Sequence, residues 1–387
     1  MIKFTLTPYD VLFFGSGRPF NRGDVVASIF PPAPNTFASA ICSKIYYFKK
    51  IDVSNILKAV YGPFIQKNEK IYLPKPQNIY KERKKKEFRK IFVVKPFDKN
   101  LKLFDSENTN KPNRIKTLPV YKGVEEIEPF DGFISIDGLK KWLSDQKSDQ
   151  KIDEDDILSY EKIFKNEPRI GISIEPSLYS VGGKEDALYR IEFLRLNEDI
   201  KFVFWVEFNF ADNGLKEAGL NDEDKVYEFF NDEPKVLKLG GEMKNVSYEV
   251  DKNDFKEWII RELKIKPNLN IEQGQKIQVL FLTYGVFDFQ IIFDFQINGF
   301  QIYSACFGNY EIIGINSKNL GIKTKRAFPL GTVMWLEAKE EMRIKNNPAF
   351  IVKSDSNSYE ISEPKGKQEF IGTNLILIKE GKDETNR

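Results

Sequence analysis

Residues 8–36, PYDVLFFGSGRPFNRGDVVASIFPPAPNT, constrain the fold of this chain more than any other stretch. An apolar strand candidate, Val11 to Phe14, runs into Gly15-Ser16-Gly17-Arg18-Pro19-Phe20. Gly23 follows, then Phe30-Pro31-Pro32-Ala33-Pro34, then a helix start at Asn35-Thr36. Glycine reaches positive φ and lets another backbone come close. Proline fixes the path into the helix. Arg18 and Arg22 add planar, permanently charged forks that suit phosphate. The stretch reads either as a structural crossover or as a ligand loop. It is not a Walker A loop, because no Gly-Lys-Ser/Thr follows, and it is not GxGxxG, because Phe20 stands where the third glycine would be.

Charge narrows the ligand. Lys plus Arg number 59 and Asp plus Glu 57, a net of +2, so a uniformly basic nucleic-acid binder is excluded and anion binding must come from local patches. The chain has no histidine, which removes Ser-His-Asp and Cys-His triads, His-ligated zinc and His-based acid–base catalysis. Cys42 and Cys306 are the only cysteines, too few for a disulfide framework or zinc-finger spacing. The apolar runs are too short to span a bilayer. The start, MIKFTLTPYD, lacks the pattern of a secretory leader, so a reduced, cytoplasmic protein without membrane contact is expected. Asp10 and Asp24 flank the loop, but no third carboxylate stands at ligand spacing, so neither a metal nor another cofactor is expected.

Periodicity supplies a frame. Residues 2–14 read as one or two strands, and Phe37, Ala40, Ile41, Ile45 and Phe48 follow helical spacing, with Asn35 or Thr36 as the cap. Residues 154–165 read as a helix stopped before Pro168. Leu188–Leu196 and Ile200–Phe210 read as a hairpin turned at Asn197-Glu198-Asp199, with mostly core aromatics (Tyr189, Phe193, Phe202, Phe204, Trp205). A helix over 214–231 and a strand over 236–239, ending at Gly240-Gly241, complete the order βαββαβ. A helix at 253–262 opens a strand-rich second half. Residues 81–90, KERKKKEFRK, hold seven basic and two acidic side chains, the strongest local basic run, inside a polar, irregular insertion over about 80–155. Lys323, Lys325 and Arg326 form a second basic edge.

The ordered blocks resemble a known family. Pro8, Asp10, Leu12, Phe13, Phe14, Gly17, Arg18, Pro19 and Phe20, then Phe30, Pro31, Pro32, Pro34 and Thr36, match the signature of the RAMP-superfamily subunit three of the Cmr complex, a type III-B CRISPR effector. Tyr61-Gly62-Pro63-Phe64, Leu73-Pro74-Lys75-Pro76, Glu167-Pro168-Arg169-Ile170-Gly171-Ile172, Leu239-Gly240-Gly241-Glu242 and Arg326-Ala327-Phe328-Pro329 resemble further family blocks, in order, over residues 2–338. The chain also departs from the pattern. Cys42 stands where a helix arginine is usual, and Lys244 replaces the arginine after LGGE.

The resemblance implies an α+β fold of two ferredoxin-like, RRM-like βαββαβ domains with antiparallel sheets, here 1–250 with the insertion at about 80–155, and 251–387. It implies a non-catalytic subunit that holds the 5′ handle of the CRISPR RNA against the large polymerase-like subunit and the backbone RAMP subunits. Arg18, Asn21 and Arg22 are expected to grip phosphate or handle bases, with Phe20 packing or stacking. Arg169, Lys244, Lys325 and Arg326 form a second rank. Two other readings are a repeat-cleaving endoribonuclease of the same superfamily and a scaffold that touches no RNA.

Overall fold

A computed structural model describes residues 1–15, 25–83, 90–97, 115–144, 151–172, 174–175, 180–181, 188–232, 234–242, 244–288, 295–317, 321–355, 358–364 and 371–381. Two compact units emerge, neither continuous in sequence. The first comprises Met1–Glu69, Tyr160–Lys252 and Ile312–Arg326, and the second Lys70–Ser159, Asn253–Glu311 and Ala327–Arg387. The sequence reading places one boundary at 250; in the two units, 70–159 groups with the C-terminal half and the 312–326 segment with the N-terminal half.

In the first unit, strand Ile2–Pro8 lies between Ile200–Phe208 and Asn245–Lys252, with Leu57–Lys67 and Val236–Lys238 outside them, all antiparallel. Helices Pro34–Lys49 and Glu223–Asp232 follow the first and third strands of this frame in the expected chain order. The rings the sequence marked as core meet here. Phe4 stacks on Phe204 at 5.2 Å, Phe230 stands edge-on to Phe4 at 4.9 Å, and Phe37 meets both Phe202 and Phe204. Such offset and edge geometries are the favourable ones for aromatic pairs.

Several local expectations fail for identifiable reasons. Leu188–Leu196 and Ile200–Phe208 do not form a hairpin; the first pairs with Phe164–Ile172 and the second enters the large sheet. Ile200–Phe208 is apolar on both faces and so fits a sheet interior, whereas Leu188–Leu196 alternates. The helix read over 154–165 is a single turn at Glu154–Asp156, a strand Ile157–Ser159 and a short helix Tyr160–Ile163. The strand Phe164–Ile172 runs on through Pro168, which an edge strand tolerates. The 214–231 helix is broken in two at Gly219, φ +73°. The long helix begins on Pro34 with Ala33 at its N-cap, whose side chain has no atom to accept a bond from the first turn; the Asn35 side chain donates to the Gly314 carbonyl at 3.1 Å.

The second unit centres on a seven-stranded sheet with Leu375–Glu380, Lys276–Phe281 and Val333–Ala338 in its middle. Its core includes Phe287 stacked on Phe295 at 3.9 Å with Tyr359 edge-on. Among the described residues, 253–381 contain one α-helix, Phe255–Leu263, where a βαββαβ unit has two. The 70–159 segment is part of this unit, not a loose insertion. It carries strand Gly132–Ser135 and helix Ile136–Leu143, capped by Ser135. The Gln77 amide donates to the Gly331 carbonyl at 2.7 Å, and Lys116 pairs with Glu337 at 2.5 Å. Lys75 is 2% exposed, its ammonium donating to the Pro76 and Ile79 carbonyls beneath the Phe130 ring. No described helix is long and apolar enough to cross a membrane.

Candidate nucleic-acid interface

Strand Leu188–Leu196 is the hub of the candidate site. Leu12 and Leu194 exchange backbone hydrogen bonds at 2.8 Å, and Val25–Ala27 pairs in parallel with Arg190–Glu192. Both ends of the glycine- and arginine-bearing loop are therefore held by one strand. The Phe14 amide donates to the Ser28 hydroxyl and the Ile29 amide to the Phe14 carbonyl, each at 2.8 Å, closing the root of the loop. Arg18, Phe20, Asn21 and Arg22 lie outside the described residues, as does Asp24.

The LGGE block seals this root from the other side. The Gly241 amide donates to the Phe13 carbonyl at 2.8 Å. Gly240 has φ +75°, and a Cβ there would run into that same carbonyl oxygen. The site needs glycine for both reasons. Phe13 in turn stands edge-on to Phe193 at 5.8 Å.

Phe193 gathers two of the predicted site residues. The Arg169 guanidinium lies 5.3 Å and the Lys244 ammonium 4.8 Å from its ring centroid. The charges of the two differ in their surroundings. Arg169 donates to Glu167 at 2.7 Å and to Asp10 at 3.1 Å. Arg195, which sequence reading missed, donates to Asp10 at 2.9 Å and to Glu167 at 2.5 Å. Two arginines and two carboxylates thus form a square drawn from three chain segments. Its only sequence signal is Glu167-x-Arg169 together with Asp10, which nothing local connects. Slight burial pushes the Asp10 carboxyl up, but hydrogen bonds from Arg169 and Arg195 outweigh it and leave it below its ordinary value. Hydrogen bonds from Arg195 and Arg169 lower Glu167 likewise. Both oxygens of Asp10 are thereby engaged by arginine. Lys244 has no carboxylate partner among the described residues.

Lys325 and Arg326 are on strand Gly321–Phe328, outside the Phe193 cluster. Of the basic run 81–90, residues 84–89 lie outside the described set; Lys81 pairs with Glu128 at 3.5 Å. Cys42, where the family arginine was expected, offers its thiol to the Val53 carbonyl at 3.8 Å, and burial pushes it up to about 12.

A family model for CRISPR-associated protein Cas_Cmr3 matches residues 4–380. The chain belongs to the Cas_Cmr3 family. It is a CRISPR-associated protein of the Cmr3 type. Among solved structures, the chain is similar to one in a cryo-EM structure of type III-B Cmr-beta bound to cognate target RNA and AMPPnP, at 15% identity and a TM-score of 0.48, covering 87% of this chain and 86% of that one. A crystal structure of a Csm3–Csm4 subcomplex of the type III-A CRISPR–Cas interference complex contains a chain similar at 13% identity and a TM-score of 0.36, covering 90% and 100%. A search of curated proteins returned no significant match. The Cas_Cmr3 assignment joins the blocks quoted from the sequence. PxD, ExRxGI and LGGE are far apart in the chain and meet around one phenylalanine.

Proposed function

We propose that this Cmr3-type chain is a non-catalytic subunit that holds the 5′ handle of the CRISPR RNA and docks on the large polymerase-like subunit and the first backbone RAMP subunit. The observation that best supports this reading is the convergence of Phe13, Gly241, Arg169 and Lys244 on the root of the 16–24 loop. Lys244 serves as a phosphate contact there, because its charge is not cancelled among the described residues. Arg169 and Arg195 set the root in place through Asp10 and Glu167. Arg18, Asn21 and Arg22 supply the remaining RNA contacts, with Phe20 as a stacking or packing ring. The strand order of the first unit supports a ferredoxin-like reading of that unit, in which the loop after the first strand is presented to the ligand.

The titratable groups favour binding over cleavage. Burial holds both cysteines above their ordinary value, away from the nucleophilic thiolate. Burial, first of all, raises Tyr80 to about 12, and Cys306 adds to the shift. Asp10 and Glu167, beside the loop root, are occupied by arginine.

The deciding experiment is handle-RNA binding by the Arg18→Ala, Arg22→Ala double variant within a reconstituted complex. The expected result is weaker binding and a salt slope smaller by about 1.4, from two lost phosphate contacts to a single strand. Unchanged affinity removes the loop from the site. Incubating the protein with repeat RNA, with and without metal, is expected to leave the RNA intact; specific cleavage overturns the non-catalytic reading.

A further inference from the structure

We propose that the C-terminal end of helix Pro34–Lys49 is a second contact for single-stranded RNA, in which Tyr46 and Tyr47 stack on bases and Lys49 and Lys50 meet the flanking phosphates. Only the ligand class rests on the RNA-binding reading above; the surface itself is separate from the Phe193 cluster.

The inner face of this helix, Phe37, Ile41, Lys44 and Ile45, is buried. Lys44 spends its charge inward, donating to the Pro234 carbonyl at 2.5 Å. The outer face is different. Ser39, Ser43, Tyr46 and Tyr47 are exposed and none carries charge. Tyr46 is 53% and Tyr47 68% exposed, on consecutive residues, and Phe48 beside them leans on Phe229 at 6.1 Å. A single exposed aromatic needs no explanation, but adjacent ones on a helix otherwise packed by its apolar side call for an occupant.

The charges around these rings identify the occupant. The Lys50 ammonium stands 4.8 Å from the Tyr47 centroid and 5.7 Å from that of Tyr46, and Lys49 stands 5.3 Å from Phe229. Neither lysine has a carboxylate partner among the described residues. From Val25 to Ile51 the sequence contains no Asp or Glu, although the chain has 57 in 387 residues. Lysines in the last turn also complement the helix dipole. That role accounts for the lysines and leaves the projecting tyrosines unexplained. Rings bordered by cations that have no carboxylate partner among the described residues match a sequence-tolerant platform for a single strand. Three rings are also a small patch beside the roughly 800 Å² per partner of a standard protein interface.

The test uses the full chain and a fluorescent CRISPR RNA carrying its handle, titrated by anisotropy over a range of salt. Tyr46→Ala with Tyr47→Ala is expected to weaken binding at least about fivefold, the lower end of one lost base stack, with the salt slope unchanged. Tyr46→Phe with Tyr47→Phe keeps both π-faces and is expected to bind like the native chain. Lys49→Ala with Lys50→Ala is expected to reduce the slope by about 1.4. If the alanine variant fails to fold, the Phe and Lys pairs still decide. Native affinity and slope in the Lys pair overturn the proposal. If the loop double variant is weakened at the same time, the reading of the loop survives and only this second contact is lost. If the native chain binds no RNA, the reading of the loop fails first.

Discussion

Arg169 and Arg195 lie on one strand pair of the first unit, Lys49 and Lys50 at the end of its long helix, and their surroundings are opposite. Each arginine reaches both Asp10 and Glu167, so the four charges sum to zero. The lysines stand over aromatic rings with no carboxylate among the described residues. A count of basic residues treats all four alike. Their availability to a polyanion depends on what the fold sets beside them. A guanidinium already bonded to two carboxylates must give up those bonds to take a phosphate, whereas an ammonium over a ring keeps its solvent face.

The largest predicted effect takes this comparison to its limit, a buried ammonium hydrogen-bonded to backbone carbonyls. Burial lowers the Lys75 ammonium to about 8, with Asp131 and Cys306 pulling only partly the other way. The unfolded chain keeps this proton up to the ordinary value of 10.5, so between about 8 and 10.5 it binds more protons than the folded chain. Stability from this group therefore rises with pH across that window, by up to about 3 kcal/mol. Chemical unfolding at stepped pH is expected to show the rise in the native chain and not in Lys75→Met.

Next is Gly240→Ala, which forces an L-residue to φ +75° and drives its Cβ into the Phe13 carbonyl. We expect a loss of about 2 kcal/mol in thermal or denaturant unfolding. The Leu12 and Leu194 amides should also exchange faster, because Phe13 packs edge-on against the Phe193 ring that Arg169 and Lys244 share.

Removing the square tests whether its arginines are held in reserve or used. Arg169→Ala with Arg195→Ala is expected to weaken RNA binding by loosening the loop root, while the salt slope changes by less than one unit. A drop of about 1.4 would instead count two phosphate contacts and erase the contrast with the helix end. The square also titrates. Asp10 and Glu167 sit below their ordinary values, so their contribution is present above the ordinary carboxylate range and is lost as pH falls through the lowered folded values. Acid unfolding of the double variant should lack that part of the transition. The smallest effect is expected for Lys49→Ala with Lys50→Ala on stability, within about 0.5 kcal/mol of the native chain.

Much of the frame was readable from spacing. Phe37, Ala40, Ile41 and Ile45 mark the long helix, and Phe255, Ile259 and Leu263 lie on the buried face of the later one, which Asp254 caps. The hairpin across Asn197-Glu198-Asp199 was not readable, because a turn with strands on both sides does not say whether they pair with each other. Helix Ile136–Leu143 escaped notice within a polar stretch, since it shows only about two turns and buries only Gly138, Leu139 and Trp142. In the site, the glycines and Lys244 were visible as motifs. Arg195 was not, since its partners are 185 and 28 residues away.

The sequence by itself determined the class of protein, through blocks whose glycines and prolines each allow few backbone paths. It also excluded histidine chemistry and bulk basic binding, because composition alone decides those. The tertiary structure decided which of the described cations pair with carboxylates, since pairing is set by distances between segments with no local signature. It also decided that PxD, ExRxGI and LGGE make one cluster. Hydrogen bonds from Gly241 to Phe13 and from Arg169 and Arg195 to Asp10 exist only once the strands are in register.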